Sequence, residues 1–159
     1  VRTAITPLIP STLLHLPSLH DNSSLLSKSL PLSGAESTRT TPRPYQIQSY
    51  LTAIHQNSIC VLPTGCGKTL IAALLIAQLK KMNPTHLALF IVDRIPLVFQ
   101  QSHVLAREAG LRVCPLCGET KTQRKVRELN DGRYDVLVST AGCFLELALR
   151  KEVDGRQFC

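Results

Sequence analysis

Hydrophobic and polar positions follow two alternating patterns between residues 43 and 153. Short continuous apolar runs predict buried β-strands, and longer segments with apolar residues three and four positions apart predict α-helices. The expected strands cover 58–62, 86–92, 111–116 and 134–140, and the expected helices cover 43–56, 68–81, 96–110, 120–132 and 141–153. Apolar strands that alternate with helices are typical of a parallel sheet covered by helices on both faces. The pattern therefore predicts an α/β fold.

Proline and glycine mark several of the predicted boundaries. Pro44 and Pro96 lie where two helices begin, a position at which a helix does not use the N–H that proline lacks. Gly110 and the pair Asp131–Gly132 lie where two helices are predicted to end. Such residues tolerate the left-handed backbone that stops a helix. Helix 68–81 is apolar on nearly every side, so we expect it to be buried.

Residues 1–42 differ from the rest in composition. Nineteen of them are Ser, Thr or Pro, and their leucines follow no sustained period. Such a segment favours disorder, because it cannot bury enough apolar surface to offset the entropy lost on folding. We therefore predict a disordered leader at 1–42, a folded domain at 43–153 and a short tail at 154–159. A transit peptide is the alternative for the leader, although arginine is scarce there.

Composition and charge restrict the classes of function. Hydrophobic residues make up 44% of the 159 residues, which is enough for a folded core. The longest apolar run, 70–79, contains Gln78 and is followed by Lys80 and Lys81, so we expect a soluble chain without a membrane partner. The net charge is +7, of which residues 43–159 carry +6. This charge is typical of a phosphate-rich partner, although generic basicity would also produce it.

The six cysteines do not form a disulfide pattern. Cys60 falls in a predicted buried strand and Cys66 in a glycine-rich loop, which favours a reduced, intracellular compartment, cytoplasmic or nuclear. Cys114 and Cys117 have half of the spacing of a zinc ribbon, but the sequence has no second C-x-x-C and no closely spaced histidine pair. We therefore interpret them as incidental thiols, with a zinc site as the alternative.

The stretch LPTGCGKTL at 62–70 carries the clearest chemistry. Gly65 and Gly67 can adopt backbone angles that are closed to other residues, so that consecutive N–H groups point at phosphate oxygens. Lys68 can bring its ammonium group to the β- and γ-phosphates, and the Thr69 hydroxyl can bind Mg²⁺. The predicted helix that follows also favours an anion at its N-terminus. Leu62 departs from the general pattern G-x-x-x-x-G-K-[ST], which has glycine at that position.

Five motifs in order, between about residues 43 and 152, resemble the first RecA-like domain of superfamily 2 helicases, above all the helicase region of fungal Dicer-like proteins. LPTGCGKT (62–69) resembles the phosphate loop of this family, in which Leu often replaces the first Gly. RPYQ (43–46) resembles its adenine-recognition motif, and Gln46 precedes Lys68 by 22 residues, as in the family. An amide can both donate and accept hydrogen bonds, so Gln46 could select adenine over guanine. The resemblance implies that ATP and Mg²⁺ are bound by Arg43, Tyr45, Gln46, Pro63, Thr64, Gly65, Cys66, Gly67, Lys68 and Thr69, with Thr69 as the metal ligand.

Three further segments resemble the parts of this family that contact a nucleic-acid backbone. They are FIVDRIPLVFQQ (90–101), VCPLCGE (113–119) and VLVSTAG (136–142). The resemblance implies contacts from Pro96, Gln100, Gly118 and Thr140, with double-stranded RNA favoured and DNA as the alternative. Taken alone, Thr140 indicates only a helix cap. Gln101 fits a position on the rim of a packed helix as well as it fits a contact with nucleic acid. The basic run at 121–127 is usually a solvated helix face.

The family continues into an Asp-Glu-x-His box and a second RecA-like domain that supplies an arginine. After Lys151 this sequence is EVDGRQFC, and Asp154 has no Glu beside it, so we identify no catalytic residue. We therefore expect an incomplete first helicase domain, truncated before that box, that binds ATP without hydrolysing it. The alternatives are a DNA translocase of the Fanconi-anaemia type, a non-catalytic ATP-binding fragment, and a small P-loop kinase. The kinase is disfavoured because such kinases keep Gly at position 62 and lack an upstream adenine-recognising Gln.

Overall fold

The computed structural model describes residues 38–158, in which two helices are followed by alternating strands and helices. The elements are α1 (Pro44–His55), α2 (Lys68–Met82), β1 (Ala88–Val92), α3 (Ile95–Ala109), β2 (Val113–Leu116), α4 (Gln123–Asn130), β3 (Val136–Thr140), α5 (Ala141–Leu149) and a 3-10 helix (Gly155–Gln157). All five predicted helices and three of the four predicted strands are confirmed. Of the leader predicted at 1–42, residues 1–37 lie outside the described residues. No helix in the described range is long and apolar enough to cross a membrane.

The described strands form one parallel sheet in the order β1-β3-β2. β3 is the central strand, since Val92 of β1 lies opposite Thr140 and Leu116 of β2 lies opposite Ser139. All three strands therefore end at the same edge of the sheet. In open parallel α/β sheets this is the edge at which ligands bind.

Alternate residues of β3 pack on opposite faces of the sheet, as the pleat of a strand requires. Val136 and Val138 belong to a core that includes residues of α2 and α3. Leu137 belongs to a second core that includes residues of α4 and α5. All three side chains are fully buried. Helices therefore cover both faces of the sheet, as predicted.

The prediction of a strand at 58–62 is wrong. The segment has no regular secondary structure and no strand partner within residues 38–158. The side chains of Ile59 and Val61 are 94% and 87% exposed, and Cys60, which we expected to be buried, is also exposed. A strand is stabilised by pairing with a neighbour and by packing of its faces. Apolar and β-branched residues alone therefore do not form one.

Two helices are shorter than predicted, for local reasons. α4 begins at Gln123 because the Thr122 hydroxyl accepts a hydrogen bond from the Lys125 N–H over 3.2 Å, which caps the helix. α5 ends at Leu149, and Lys151 then has a left-handed φ of 57°. A left-handed residue stops a right-handed helix.

Both ends of the described chain contact the domain. The Leu87 N–H donates to the Gln157 carbonyl over 2.7 Å, and Phe158 forms a parallel bridge with Leu87 beside the start of β1. At the other end, the Arg39 N–H donates to the Glu108 carbonyl over 2.9 Å, in the last turn of α3. Residues on both sides of the predicted domain, Arg39 and Phe158, therefore contact it.

Candidate nucleotide-binding site

The phosphate loop, residues 62–69, joins the exposed segment to α2. Gly65 and Gly67 have φ values of +83° and +72°, the left-handed region that the sequence predicted for them. Gly67 is the N-cap of α2. Within the described chain, the N–H groups of Gly67, Lys68 and Thr69 have no protein acceptor. Together with the positive end of the helix dipole, these groups form a site suited to an anion.

The Lys68 ammonium group is folded back onto this loop. Its Nζ donates to the carbonyl oxygens of Leu62 and Pro63 over 2.7 and 3.0 Å. The Pro63 carbonyl also accepts the Cys66 N–H over 3.3 Å, which closes the turn that contains Thr64. Lys68 thus stabilises the loop in this state, and because its side chain is exposed it can turn toward a phosphate.

Two side chains from the first turn of α1 bind one carbonyl of the loop. The Tyr45 hydroxyl and the Gln46 Nε2 donate to the Cys66 carbonyl over 3.0 and 3.1 Å. Gln46 is 4% exposed, and its Oε1 accepts the Arg43 N–H over 2.8 Å, as part of a capping box at the start of α1. The structure therefore brings the predicted adenine-recognition motif against the phosphate loop.

Gly67 lies so close to Gln46 that a side chain at position 67 would have to displace the Gln46 amide. A methyl group on the Gly67 Cα would overlap the Nε2 atom of Gln46. At Gly65 the corresponding space is open. Glycine at 67 is therefore favoured both by its left-handed φ and by the contact with Gln46, whereas Gly65 is favoured by its φ alone.

The Thr69 hydroxyl is oriented by a residue of α3. It donates a hydrogen bond to Oε1 of Gln101 over 2.8 Å. Because the hydroxyl proton is held in this bond, the oxygen lone pairs are directed elsewhere and remain available to a cation. We had assigned Gln101 no part in this site. No local pattern could have revealed the contact, since the two residues lie 32 positions apart.

These residues line a cavity of about 280 Å³ between α1, the loop and α3. Seven of the ten predicted nucleotide-binding residues line it: Arg43, Tyr45, Gln46, Gly65, Cys66, Gly67 and Thr69. Pro63, Thr64 and Lys68 belong to the loop but not to this lining. The remaining wall, which the sequence did not reveal, consists of Thr40, Thr41, Leu70, Val104, Arg107 and Glu108.

Glu108 is a buried carboxylate in that wall. Its side chain is 6% exposed, its Oε2 accepts the Thr40 N–H over 3.0 Å, and its Oε1 accepts Nη2 and Nε of Arg107 over 2.7 and 3.0 Å. The hydrogen bonds from Thr40, helped by the Arg107 guanidinium, hold the pKa of the Glu108 carboxyl below its usual value in spite of burial. Glu108 is therefore negatively charged at neutral pH.

The residues predicted to contact nucleic acid lie close to the strand ends. Pro96 is in the first turn of α3, just after β1, Gly118 follows β2, and Thr140 ends β3. The Thr140 hydroxyl accepts the Cys143 N–H over 3.4 Å and caps α5, as expected for a cap. Gln100 is exposed on α3. Parallel pairing therefore places the first three at one edge of the sheet.

Basic side chains at the start of α4 are paired within the domain. Lys121 Nζ lies 3.3 Å from carboxylate oxygens of both Glu146 and Glu152. Arg124 pairs with Glu128 over 2.9 Å, one turn along the helix. These pairs favour the interpretation of a solvated structural face over that of a nucleic-acid surface.

Cys114 and Cys117 are both fully buried but pack in different cores. Cys114 packs with residues of α4 and α5, and Cys117 with residues of α2 and α3 on the other face of the sheet. Burial raises the pKa of the Cys114 thiol to about 11. No group of three His, Cys, Asp or Glu side chains able to hold a metal ion occurs within residues 38–158. Zinc ligands converge on one ion, whereas these two thiols pack in different cores on opposite faces of the sheet.

The sequence is similar to those of known helicases. The family model described as DEAD/DEAH box helicase matches residues 43–158. Dicer-like protein 1 of Neurospora crassa is 42% identical over 100 residues, which cover 57% of this chain and 6% of that protein. Protein Dicer of Schizosaccharomyces pombe is 34% identical over 113 residues, which cover 64% of this chain and 8% of that protein. The chain thus spans only a small part of the length of these relatives.

Solved helicase structures share the fold. The Hef helicase domain of Pyrococcus furiosus has a TM-score of 0.63 at 29% identity, and the match covers 74% of this chain and 24% of that one. A hypothetical ATP-dependent RNA helicase from Sulfolobus tokodaii has a TM-score of 0.60 at 20% identity, with coverage of 75% and 35%, and shows likeness of fold alone. The parallel sheet, with a phosphate loop opening α2, is that of a RecA-like P-loop domain. On the family match over residues 43–158, this chain belongs to the DEAD/DEAH box helicase family, with Dicer-like proteins among its relatives.

Proposed function

We propose that this chain is the ATP-binding part of a nucleic-acid-dependent helicase of the Dicer type. The observation that carries the proposal is the pair of hydrogen bonds from Tyr45 and Gln46 to the Cys66 carbonyl. Through these bonds the Gln46 amide, which can recognise a base, lies beside the phosphate loop. Both then form walls of one cavity. ATP carries a base and phosphates joined by a ribose, so the two kinds of wall match its two ends.

The Gln46 amide keeps the hydrogen-bonding capacity that adenine needs. The Cys66 carbonyl uses one Nε2 hydrogen, and the Arg43 N–H uses one Oε1 lone pair. One donor hydrogen and one lone pair are left. Adenine presents a donor at N6 and an acceptor at N7 on one edge, whereas guanine presents two acceptors there. The proposed site therefore favours ATP over GTP.

Phosphate and metal binding are assigned to the loop and the first turn of α2. The N–H groups of residues 67–69 would bind phosphate oxygens, and Lys68 would exchange its two carbonyl acceptors for them. Thr69 would ligate Mg²⁺ with the lone pairs that its bond to Gln101 leaves available. The metal, when bound, supplies charge neutralisation on the phosphates.

We propose that the chain as it stands binds ATP without turnover. Hydrolysis needs a carboxylate that holds the metal and orients water, and an arginine against the γ-phosphate. Within the described residues, Glu108 is the carboxylate that lines the cavity, and Arg107 and Thr40 already hold it. Asp154 caps the 3-10 helix and pairs with Arg156 over 2.8 Å. Neither carboxylate is free for this role. The second RecA-like domain implied by the family resemblance is the proposed source of the arginine.

Double-stranded RNA is the proposed nucleic-acid partner, because the relatives include Dicer-like proteins, and RNA interference would be the process served. The proposed contacts, from Pro96, Gln100, Gly118 and Thr140, are to the sugar-phosphate backbone, so affinity should fall steeply with salt. Binding to RNA and DNA duplexes of one sequence, compared at two salt concentrations, tests this. Tighter binding to the DNA duplex would support the DNA translocase alternative instead.

Nucleotide binding is tested by titrating the purified chain with a fluorescent ATP analogue and Mg²⁺. Lys68→Ala should weaken binding roughly 10- to 100-fold, as expected for loss of charge-assisted hydrogen bonds. Lys81→Ala, which removes the same charge from the other end of α2, is the matched control and should bind like the wild type. Equal binding by wild type and Lys68→Ala would refute the proposed site. ATP turnover that Lys68→Ala abolishes would contradict binding without hydrolysis.

A further inference from the structure

The cavity has one wall that belongs to neither the phosphate loop nor α1. It is formed by Thr40 and Thr41, which precede α1, and by the last turns of α3 with Arg107 and Glu108. Residues 38–43 have no helix or strand of their own. The position of this wall therefore depends on what the segment contacts.

Glu108 provides two of those contacts with two different acceptor groups. Its main-chain carbonyl accepts the Arg39 N–H over 2.9 Å, and its carboxylate Oε2 accepts the Thr40 N–H over 3.0 Å. One residue of α3 thus holds two consecutive N–H groups of the segment. Arg107 binds the other carboxylate oxygen through two nitrogens, so both oxygens of the carboxylate are held by hydrogen bonds.

Packing alone does not account for a glutamate at this position. A buried charge is unfavourable unless it is paired and hydrogen-bonded, and an apolar side chain would fill the same space without that requirement. The Glu108 carboxylate instead directs one oxygen at the backbone of the cavity wall. Its depressed pKa keeps it an acceptor over the neutral pH range.

We propose that Glu108 is a positioning residue for the base of the bound nucleotide, because it fixes the Arg39–Thr40 backbone as the wall of the pocket that Gln46 lines. The inference rests on the proposed ATP-binding function and adds to it a residue outside the nucleotide-binding motifs. The cavity, at about 280 Å³, lies at the small end of ligand pockets, which begin near roughly 300 Å³. Displacement of the wall would loosen the fit of a base and leave the phosphate loop unchanged.

Two ligands separate the two ends of the site. ATP carries base and phosphates, and inorganic tripolyphosphate carries phosphates alone. Both are titrated with Mg²⁺ into the wild-type chain, Glu108→Ala and the control Glu128→Ala. Glu128 is also a carboxylate bound by an arginine of its own helix, but it does not line the cavity. Glu108→Ala should weaken ATP binding about tenfold, or about 1.4 kcal/mol, and leave tripolyphosphate binding unchanged, and Glu128→Ala should affect neither.

Unchanged ATP binding by Glu108→Ala, or an equal loss for ATP and tripolyphosphate, would overturn the inference while the proposed function stands. If the wild type binds neither ligand, or if Lys68→Ala binds both as well as the wild type, the proposed function fails and the inference falls with it.

A measurement on the wild type covers the case in which Glu108→Ala does not fold. Hydrogen–deuterium exchange in the peptide covering residues 38–43 should slow when ATP is added and stay unchanged with tripolyphosphate. Protection by both ligands alike, or by neither, would overturn the inference.

Discussion

Residues 58–62 and 88–92 are apolar runs of equal length that lie in opposite surroundings. The second run is β1, which pairs along its whole length with β3 and buries Ala88 and Val92. The first run pairs with no strand in the described part of the chain and exposes Ile59 and Val61. Each run is followed by a helix with a proposed ligand contact. The first run leads into the phosphate loop and α2, and the second leads into α3.

This difference means that the phosphate loop is positioned by its neighbours in α1 and α2 and not by a paired strand. Its shape depends on the bonds from Lys68 to two loop carbonyls and on the bonds of α1 to the Cys66 carbonyl. Each such hydrogen bond contributes about 0.5–1.5 kcal/mol net. The sheet is held instead by buried apolar surface. We therefore expect substitutions in the sheet to change stability and substitutions around the loop to change binding.

The largest effect is expected in the sheet. Leu137, on the central strand, is 0% exposed, and Leu137→Ala should lower the free energy of unfolding by about 2–5 kcal/mol. Ile59→Ala, in the exposed run, should change it by no more than about 0.5 kcal/mol. Urea unfolding followed by circular dichroism measures both. A loss of unfolding free energy for Ile59→Ala close to that for Leu137→Ala would show that residues 58–62 are buried in solution. That result would contradict the contrast between the two runs.

A smaller effect distinguishes the cost of a left-handed backbone at Gly67 from the cost of its contact with Gln46. Gly67 and Gly110 both have left-handed φ, +72° and +62°, so alanine should cost about 1–2 kcal/mol of stability at either position. Only at Gly67 would the methyl group meet Gln46. ATP titration should therefore show a large loss of affinity for Gly67→Ala and little for Gly110→Ala. Equal affinities for the two variants would mean that the close approach of Gln46 has no part in binding.

The smallest effect concerns the hydrogen bond between Thr69 and Gln101. Gln101→Ala should weaken ATP binding in the presence of Mg²⁺ about 2- to 10-fold, the equivalent of one net hydrogen bond. It should have no effect when Mg²⁺ is removed with EDTA, because the bond orients a metal ligand. Gln48→Ala, at an exposed position of α1, is the control. The same loss with and without Mg²⁺ would assign Gln101 a packing role instead.

Elements of this fold with local signals could be predicted from the sequence. Left-handed glycines mark the loop at Gly67 and the end of α3 at Gly110, and both were predicted. The state of residues 58–62 could not be predicted, because a strand depends on a partner that is distant in sequence. The same reason hid two residues of the cavity region: Gln101 bonds a residue 32 positions away and Glu108 one 68 positions away. No local periodicity encodes contacts of that separation.

The strand order β1-β3-β2 has a consequence for the nascent chain. β3 lies in the centre of the sheet although it is synthesised after both of its neighbours, and its first residue pairs with Ala88, far upstream. Until residues 136–140 emerge, β1 and β2 lack the strand that each of them pairs with. Unpaired apolar strands are sites of intermolecular association, and pairing at long sequence separation is slow. The interval between the emergence of β1 and the emergence of β3 is therefore a period in which this domain is exposed to aggregation.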